Sequence, residues 1–144
     1  MAADRIDGYD YALNCEVRDY ELDMQGIVNN AVYQNYLEHC RHGYLKAIGF
    51  DFAELTRKGI RPVVTRAEID YVQPLRSGDI FFVGLRLAWE GRLRNVFYQE
   101  IVRNEDIVCR AKITTTILDG AVPIPFPEFR RSAERFREQG GLAP

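Results

Sequence analysis

One apolar stripe constrains this chain more than any other feature. Tyr33, Tyr36, Leu37, Cys40, Tyr44, Ala47 and Ile48 recur at helical spacing, as residues on a single face of a helix of roughly 17 residues do. Downstream the period drops to two. From Pro62 to Val72, the residues Val63, Thr65, Ala67, Ile69 and Tyr71 alternate with Val64, Arg66, Glu68, Asp70 and Val72. Asp79 to Glu90 puts Phe81, Val83, Leu85, Leu87 and Trp89 on one face, and Ile107 to Leu118 does the same with Ile107, Cys109, Ala111, Ile113, Thr115 and Ile117. A period of two marks strands. One long helix with one apolar face, beside strands joined by short turns, predicts an α+β chain whose helix lies against an antiparallel sheet.

The other elements fit around these. Tyr9 to Arg18 alternates and reads as a first strand after a loose tail over residues 1–8. Asp19 to Asn29 is a loop with Gly26 in its middle, and Asn29 or Asn30 is suited to cap the helix that Gly49 ends. Asp51 to Lys58 reads as a short second helix, Gln73 to Gly78 as a turn, and Gly91 as a hairpin before a returning strand, Leu93 to Arg103. Asn104 to Asp106 makes the next turn. Pro123, Pro125 and Pro127 keep the chain out of a central strand, and Pro127 opens a final helix, Glu128 to Glu138. Arg130, Arg131, Arg135 and Arg137 then form a basic helix face, read as solvated.

With 144 residues, 47% of them hydrophobic and 28% charged, the chain reads as one globular domain over residues 1–144. A net charge of -2 gives no field to attract nucleic acid, and Arg92-Leu93-Arg94 reads either as a local contact for phosphate or as a solvated hairpin tip. Cys15, Cys40 and Cys109 lack metal or disulfide spacing and read as buried thiols in a reducing compartment. The polar N-terminus and the lack of a long apolar run predict a cytoplasmic protein without a membrane partner. Apolar residues on both faces of the strands suggest an oligomer.

The chemistry concentrates just ahead of the long helix. A carboxylate in the loop, with Asp23 foremost and Asp19 or Glu21 as alternatives, stands beside the free N–H donors of a helix N-terminus. That pairing suits reactions in which negative charge builds on a carbonyl oxygen. A turn-capping Asp is the alternative reading. His39 and His42 fall away from the apolar stripe, no Ser-His-Asp or Cys-His set can be assembled, and no phosphate loop or metal signature occurs.

Three stretches carry a resemblance to a known family. They are Asp23-Met-Gln-Gly-Ile-Val-Asn-Asn-Ala-Val-Tyr-Gln-Asn-Tyr36, then Arg41 followed by Gly49, and Thr65-Arg-Ala-Glu-Ile-Asp-Tyr-Val-Gln-Pro-Leu-Arg-Ser-Gly-Asp79. Together they resemble the hotdog-fold thioesterases of the 4-hydroxybenzoyl-CoA thioesterase type and the related acyl-CoA and plant-type acyl-ACP thioesterases. The likeness covers residues 9–120, with 121–144 as a C-terminal extension. It implies a hotdog fold, in which a five-stranded antiparallel sheet wraps around the long helix. It also implies a homodimer assembling to a tetramer, with active sites at the dimer interface. The implied reaction is hydrolysis of an acyl-CoA or acyl-carrier-protein thioester, without metal or other cofactor.

The resemblance assigns Asp23 as nucleophile or general base, and the backbone N–H groups of Asn30 and Ala31 as the oxyanion site. Asn29 and the Asn30 side chain either cap the helix or contact substrate. Tyr33 lines the acyl pocket or packs in the core. Arg41 either reaches the loop to orient Asp23 or polarise substrate, or makes an ordinary ion pair with Glu38 or a neighbouring strand. Thr65 is a candidate for bonding a substrate carbonyl or an active-site water. Two rival readings stay open: a hotdog dehydratase, for which neither histidine is placed, and a non-catalytic acyl-binding module.

Overall fold

The computed structural model describes residues 5–141. Strand β1 spans Tyr11–Glu16 and leads through one 3-10 turn at Asp19–Glu21 into the long helix α1, Asn30–Ala47. Helix α2 (Phe52–Arg57) is followed by strands β2 (Ile60–Tyr71), β3 (Ile80–Glu90), β4 (Arg94–Arg103), β5 (Asp106–Asp119) and β6 (Val122–Ile124), and helix α3 (Pro127–Glu138) closes the chain. The main sheet is antiparallel in the order β1-β3-β4-β5-β2. These are the five strands that the periodicity predicts. The short β6 adds a sixth, paired to the last residues of β5, which the three prolines confine to a few positions at the end of the sheet.

Helix α1 forms because its stripe has a sheet to bury against. Tyr33, Tyr36, Leu37, Cys40, Tyr44 and Leu45 are buried along it. They meet Phe81, Val83, Leu85 and Leu87 of β3, Phe97 and Ile101 of β4, and Cys109, Ala111 and Ile113 of β5. These inward residues alternate with the outward set along each strand, so the sheet curls around a single helix, the arrangement that the hotdog resemblance implies. The Asp51 carboxylate caps α2 by accepting from the N–H groups of Ala53 (3.0 Å) and Glu54 (3.3 Å).

Both ends of the chain are clasped onto this core by buried carboxylates. Asp10 is 2% exposed and accepts from Arg137 Nε and Nη2, each at 2.8 Å, and from the Leu87 N–H at 2.8 Å. Glu100, 1% exposed on the opposite face of the sheet, accepts from Arg5 (2.9 Å) and from the Tyr9 hydroxyl. Glycine at position 84 lets the Tyr9 ring lie close on the sheet, since a Cβ there would overlap the ring. Arg130 and Arg137 both stack over Trp89, so half of the expected solvated basic face of α3 works as a clamp.

Strand β2 ends the sheet. Its outer edge meets no other strand among the described residues, and Val64, Tyr71 and the adjacent Val72 are about half exposed.

Candidate active site

The loop ahead of α1 is held rigidly. Leu22 bridges to Val28, the Asp23 N–H donates to the Ile27 carbonyl at 2.8 Å, and the Gly26 N–H donates back to the Asp23 carbonyl at 3.1 Å. Gly26 has φ +78°, which a side chain disfavours, so glycine closes this turn at low cost. One Asp23 carboxylate oxygen accepts the Gln25 N–H at 2.8 Å. Asp23 therefore does shape its turn, while its second oxygen remains outside that bond on a half-buried side chain.

The two alternative acids are committed elsewhere. Glu21 is 9% exposed, and its Oε1 accepts from the Tyr36 hydroxyl and from the Arg18 N–H, both at 2.8 Å. Its carbonyl accepts the Asn29 N–H at 3.0 Å, so Glu21 rivets the loop to the start of α1. Burial and this bond to the carboxylate push the Tyr36 phenol far above its usual range. Asp19 accepts the Ser77 hydroxyl, tying the loop to the turn between β2 and β3.

At the start of α1, Asn29 is the N-cap, and its Oδ1 accepts the Ala31 N–H at 2.9 Å. The Val32 N–H donates to the Asn29 carbonyl at 2.9 Å. Sequence reasoning expects the N–H groups of both Asn30 and Ala31 to be free. The Ala31 donor is instead consumed by the cap, and Asn30 is the first-turn N–H with no acceptor among the described residues. Tyr71, at the end of β2, donates its hydroxyl to the Asn30 carbonyl at 3.1 Å. Tyr33 is 4% exposed, and its hydroxyl accepts the Leu75 N–H at 3.1 Å, so it is a core residue that locks the β2–β3 turn under the helix. In that turn Asp79 pairs with Arg103 at 2.7 Å and accepts the Arg76 N–H at 2.8 Å. Burial pushes its carboxyl upward, but these partners outweigh it and hold the group below its usual range.

A groove of about 1120 Å3 opens between α1 and the β2–β5 half of the sheet. It begins at Gln34 and Ala67, one turn into α1, and runs to Phe50, Phe52, Phe126 and Phe129. Arg41 lies in its wall and donates Nη1 to Gln99 Oε1 at 2.9 Å, so it reaches β4 rather than the loop carrying Asp23. Helical rise explains this, since eleven residues from Asn30 advance roughly 16 Å. Thr65 lies outside the groove lining. A register shift between Val64 and Arg66 turns it away, and its hydroxyl donates to the Thr114 carbonyl at 3.3 Å. Asp23 thus lies in the bridged turn ahead of α1, with Asn29, Asn30 and Ala31 at the helix start, all four outside the groove lining, while Arg41 stands in the groove wall and Tyr33 and Thr65 bond to backbone within the fold.

Sequence reasoning missed Tyr71 and Gln99. Gln99 was discernible as the polar residue between Phe97 and Ile101 on an inward strand face. Cys40 and Cys109 are buried, as expected, and burial pushes both thiols up to about 12; Cys15 is half-buried and its thiol is raised as well.

The thioesterase-like superfamily is matched over residues 17–134. Among curated relatives, the chloroplastic acyl-acyl carrier protein thioesterase ATL3 of Arabidopsis thaliana is 37% identical over 125 residues, which cover 85% of this chain. The chain spans 66% of that relative's length. Among solved structures, a thioesterase from Thermus thermophilus complexed with coenzyme A and Zn is similar with a TM-score of 0.82 and 30% identity. That match covers 92% of this chain and 98% of the other. The probable thioesterase YbaW from Escherichia coli is similar with a TM-score of 0.76 and 26% identity, covering 88% and 98% of the two chains.

Proposed function

Since the chain belongs to the thioesterase-like superfamily, we propose that it hydrolyses an acyl thioester, carried on coenzyme A or on an acyl carrier protein, to the free acid and the thiol. The observation that carries this reading is a half-buried carboxylate, Asp23, in a rigid turn directly ahead of a helix N-terminus that leads into a largely apolar groove. In the proposed reaction the thioester carbonyl carbon sits near Asp23 and its oxygen faces the Asn30 N–H. Asp23 either attacks that carbon, expelling the thiolate and leaving a mixed anhydride that water then cleaves, or takes a proton from the water that attacks the carbon and expels the thiolate. The acyl group extends along α1 in the groove. The Asn30 N–H and the helix dipole stabilise the developing oxyanion.

The proposed assembly is a homodimer formed along β2, building toward a tetramer. A long free strand edge with exposed apolar side chains is a template for a second strand, and a second copy would complete the wall of the groove. A carrier-protein substrate is supported by the plant relative, and a coenzyme A substrate by the structure from Thermus thermophilus.

The test is thiol release from a panel of acyl-CoA and acyl-ACP thioesters, comparing wild type with Asp23→Asn. Removing a general base or nucleophile is expected to lower kcat by about 100-fold or more. Full activity in the variant refutes the role of Asp23, and no hydrolysis by wild type refutes the reaction. A dehydratase reading rests on His42 and Glu38, 3.5 Å apart at the groove rim. Both are more than half exposed, which suits a solvated helix pair better than a buried acid–base couple.

A further inference from the structure

The groove is not uniformly apolar. Arg41 stands in its wall with its side chain half-buried, and its hydrogen-bond partner there is the neutral Gln99 amide. Gln99 is 1% exposed, and its Nε2 donates to the Leu37 carbonyl at 3.0 Å, which fixes its oxygen toward Arg41. Arg5, Arg103 and Arg137 are each answered by a carboxylate: Glu100, Asp79 and Asp10. Among the described residues, no carboxylate lies within ion-pair distance of Arg41. The closest acid in sequence on its helix face, Glu38, has its carboxylate turned to His42 at the rim. Burial lowers the Arg41 pKa, and the Glu38 carboxylate at the rim offsets only part of that effect. A guanidinium has five donors arranged in a fork that matches a carboxylate. Partial removal from water without a counter-ion is costly, and a bound anion relieves that cost.

We propose that Arg41, steered by Gln99, receives a carboxylate at the distal end of the acyl group, so that the groove selects ω-carboxyacyl thioesters over plain alkyl chains. This rests on the hydrolase reading above and names the class of substrate. Helical side chains lean toward the helix N-terminus, and the Gln99 amide that accepts from Arg41 also donates to the Leu37 carbonyl, so the proposed carboxylate site is about level with Leu37. Seven residues separate Leu37 from Asn30, a rise of roughly 10 Å. An extended chain advances about 1.2 Å per bond, judged from the polypeptide's reach per residue, so the carbonyl and the carboxylate are separated by about eight or nine bonds. The match is a dicarboxylic chain of about ten carbons, held at one end by the helix start and at the other by Arg41.

The test compares kcat/KM for decanoyl-CoA with that for the mono-CoA thioester of decanedioic acid, in wild type, Arg41→Met and Arg41→Lys. In parallel, calorimetry measures binding of free decanedioate and decanoate to the same proteins. Wild type is expected to favour the carboxylated substrate by at least about tenfold, chiefly through KM, as a charge-assisted bond away from water should. Arg41→Met is expected to lose that preference while still hydrolysing decanoyl-CoA, and Arg41→Lys to keep part of it. Equal loss on both substrates makes Arg41 a packing residue and overturns the proposal. An unchanged ratio accompanied by a changed native mass also overturns it, since Arg41 then answers a second subunit. If no thioester is cleaved but wild type binds decanedioate and Arg41→Met does not, the hydrolase reading falls and the anion site stands.

Discussion

Removal of Glu21 separates the acid that positions the site from the acid proposed to act in it. Glu21→Ala strips the acceptor from two donors, the Tyr36 hydroxyl and the Arg18 N–H, each 2.8 Å from Oε1. A hydrogen bond to a charged group contributes about 1.5–3 kcal/mol. The Tyr36 bond is buried and takes the upper part of that range, with Tyr36 only 7% exposed. The Arg18 N–H is at the surface, where water replaces the lost acceptor. The expected destabilisation is about 3 kcal/mol in total, which for a chain of this size lowers Tm by about 6–12 °C. Glu21→Gln keeps an acceptor and should cost less than half of that. Tyr36→Phe removes one partner, and the double variant should show a coupling of about 1–2 kcal/mol. Thermal melts and urea titrations measure these values. Thioester hydrolysis, assayed alongside, should fall in Glu21→Ala because the loop carrying Asp23 loses its rivet, yet Glu21→Gln should retain most of its activity. A Glu21→Gln protein that melts like wild type but is inactive refutes this reasoning and transfers the catalytic role to Glu21.

Three further outcomes follow from the same physics. Arg137→Met leaves Asp10 buried with only Arg86, 3.7 Å away, and the Leu87 N–H to answer its charge; urea unfolding should show a loss of about 3 kcal/mol, the low end for a broken buried pair because Arg137 is itself partly exposed. Asn29→Ala frees the Ala31 N–H and should cost about 1 kcal/mol of stability as a lost N-cap; a larger fall in kcat would show that the cap also sets the oxyanion geometry. Cys40 and Cys109 have folded pKa values raised to about 12 against an unfolded value near 8.5. Their stabilisation is therefore complete below about pH 8.5 and is lost as pH rises toward 12, because only the unfolded chain then ionises. Urea midpoints between pH 8 and 11 should fall, and Cys40→Ala should flatten that fall.

The element order was legible because burial imposes its period on neighbouring residues, two for a strand and 3.6 for a helix. The stripe from Tyr33 to Ile48 and the alternation in β3 and β5 reported their own partners' direction without naming those partners. The caps were equally local: Asn29, Asp51 and Pro127 stand where short-range backbone geometry demands them. Glu21 looked like Asp23 in sequence, since a carboxylate reads the same wherever its loop carries it. Only the phase of α1 brought Tyr36 against Glu21 and left Asp23 outside that bond.

By itself, then, the sequence determined a long helix, the strands that face it, and a carboxylate ahead of the helix start. Tertiary structure decided how each polar group is satisfied. Thr65 was turned away by a shift in register against β5, and Arg41 was drawn to Gln99, 58 residues further along the chain. Periodicity is a property of neighbours in sequence, whereas a hydrogen bond is a property of two atoms meeting across a register that only the packed sheet and helix define.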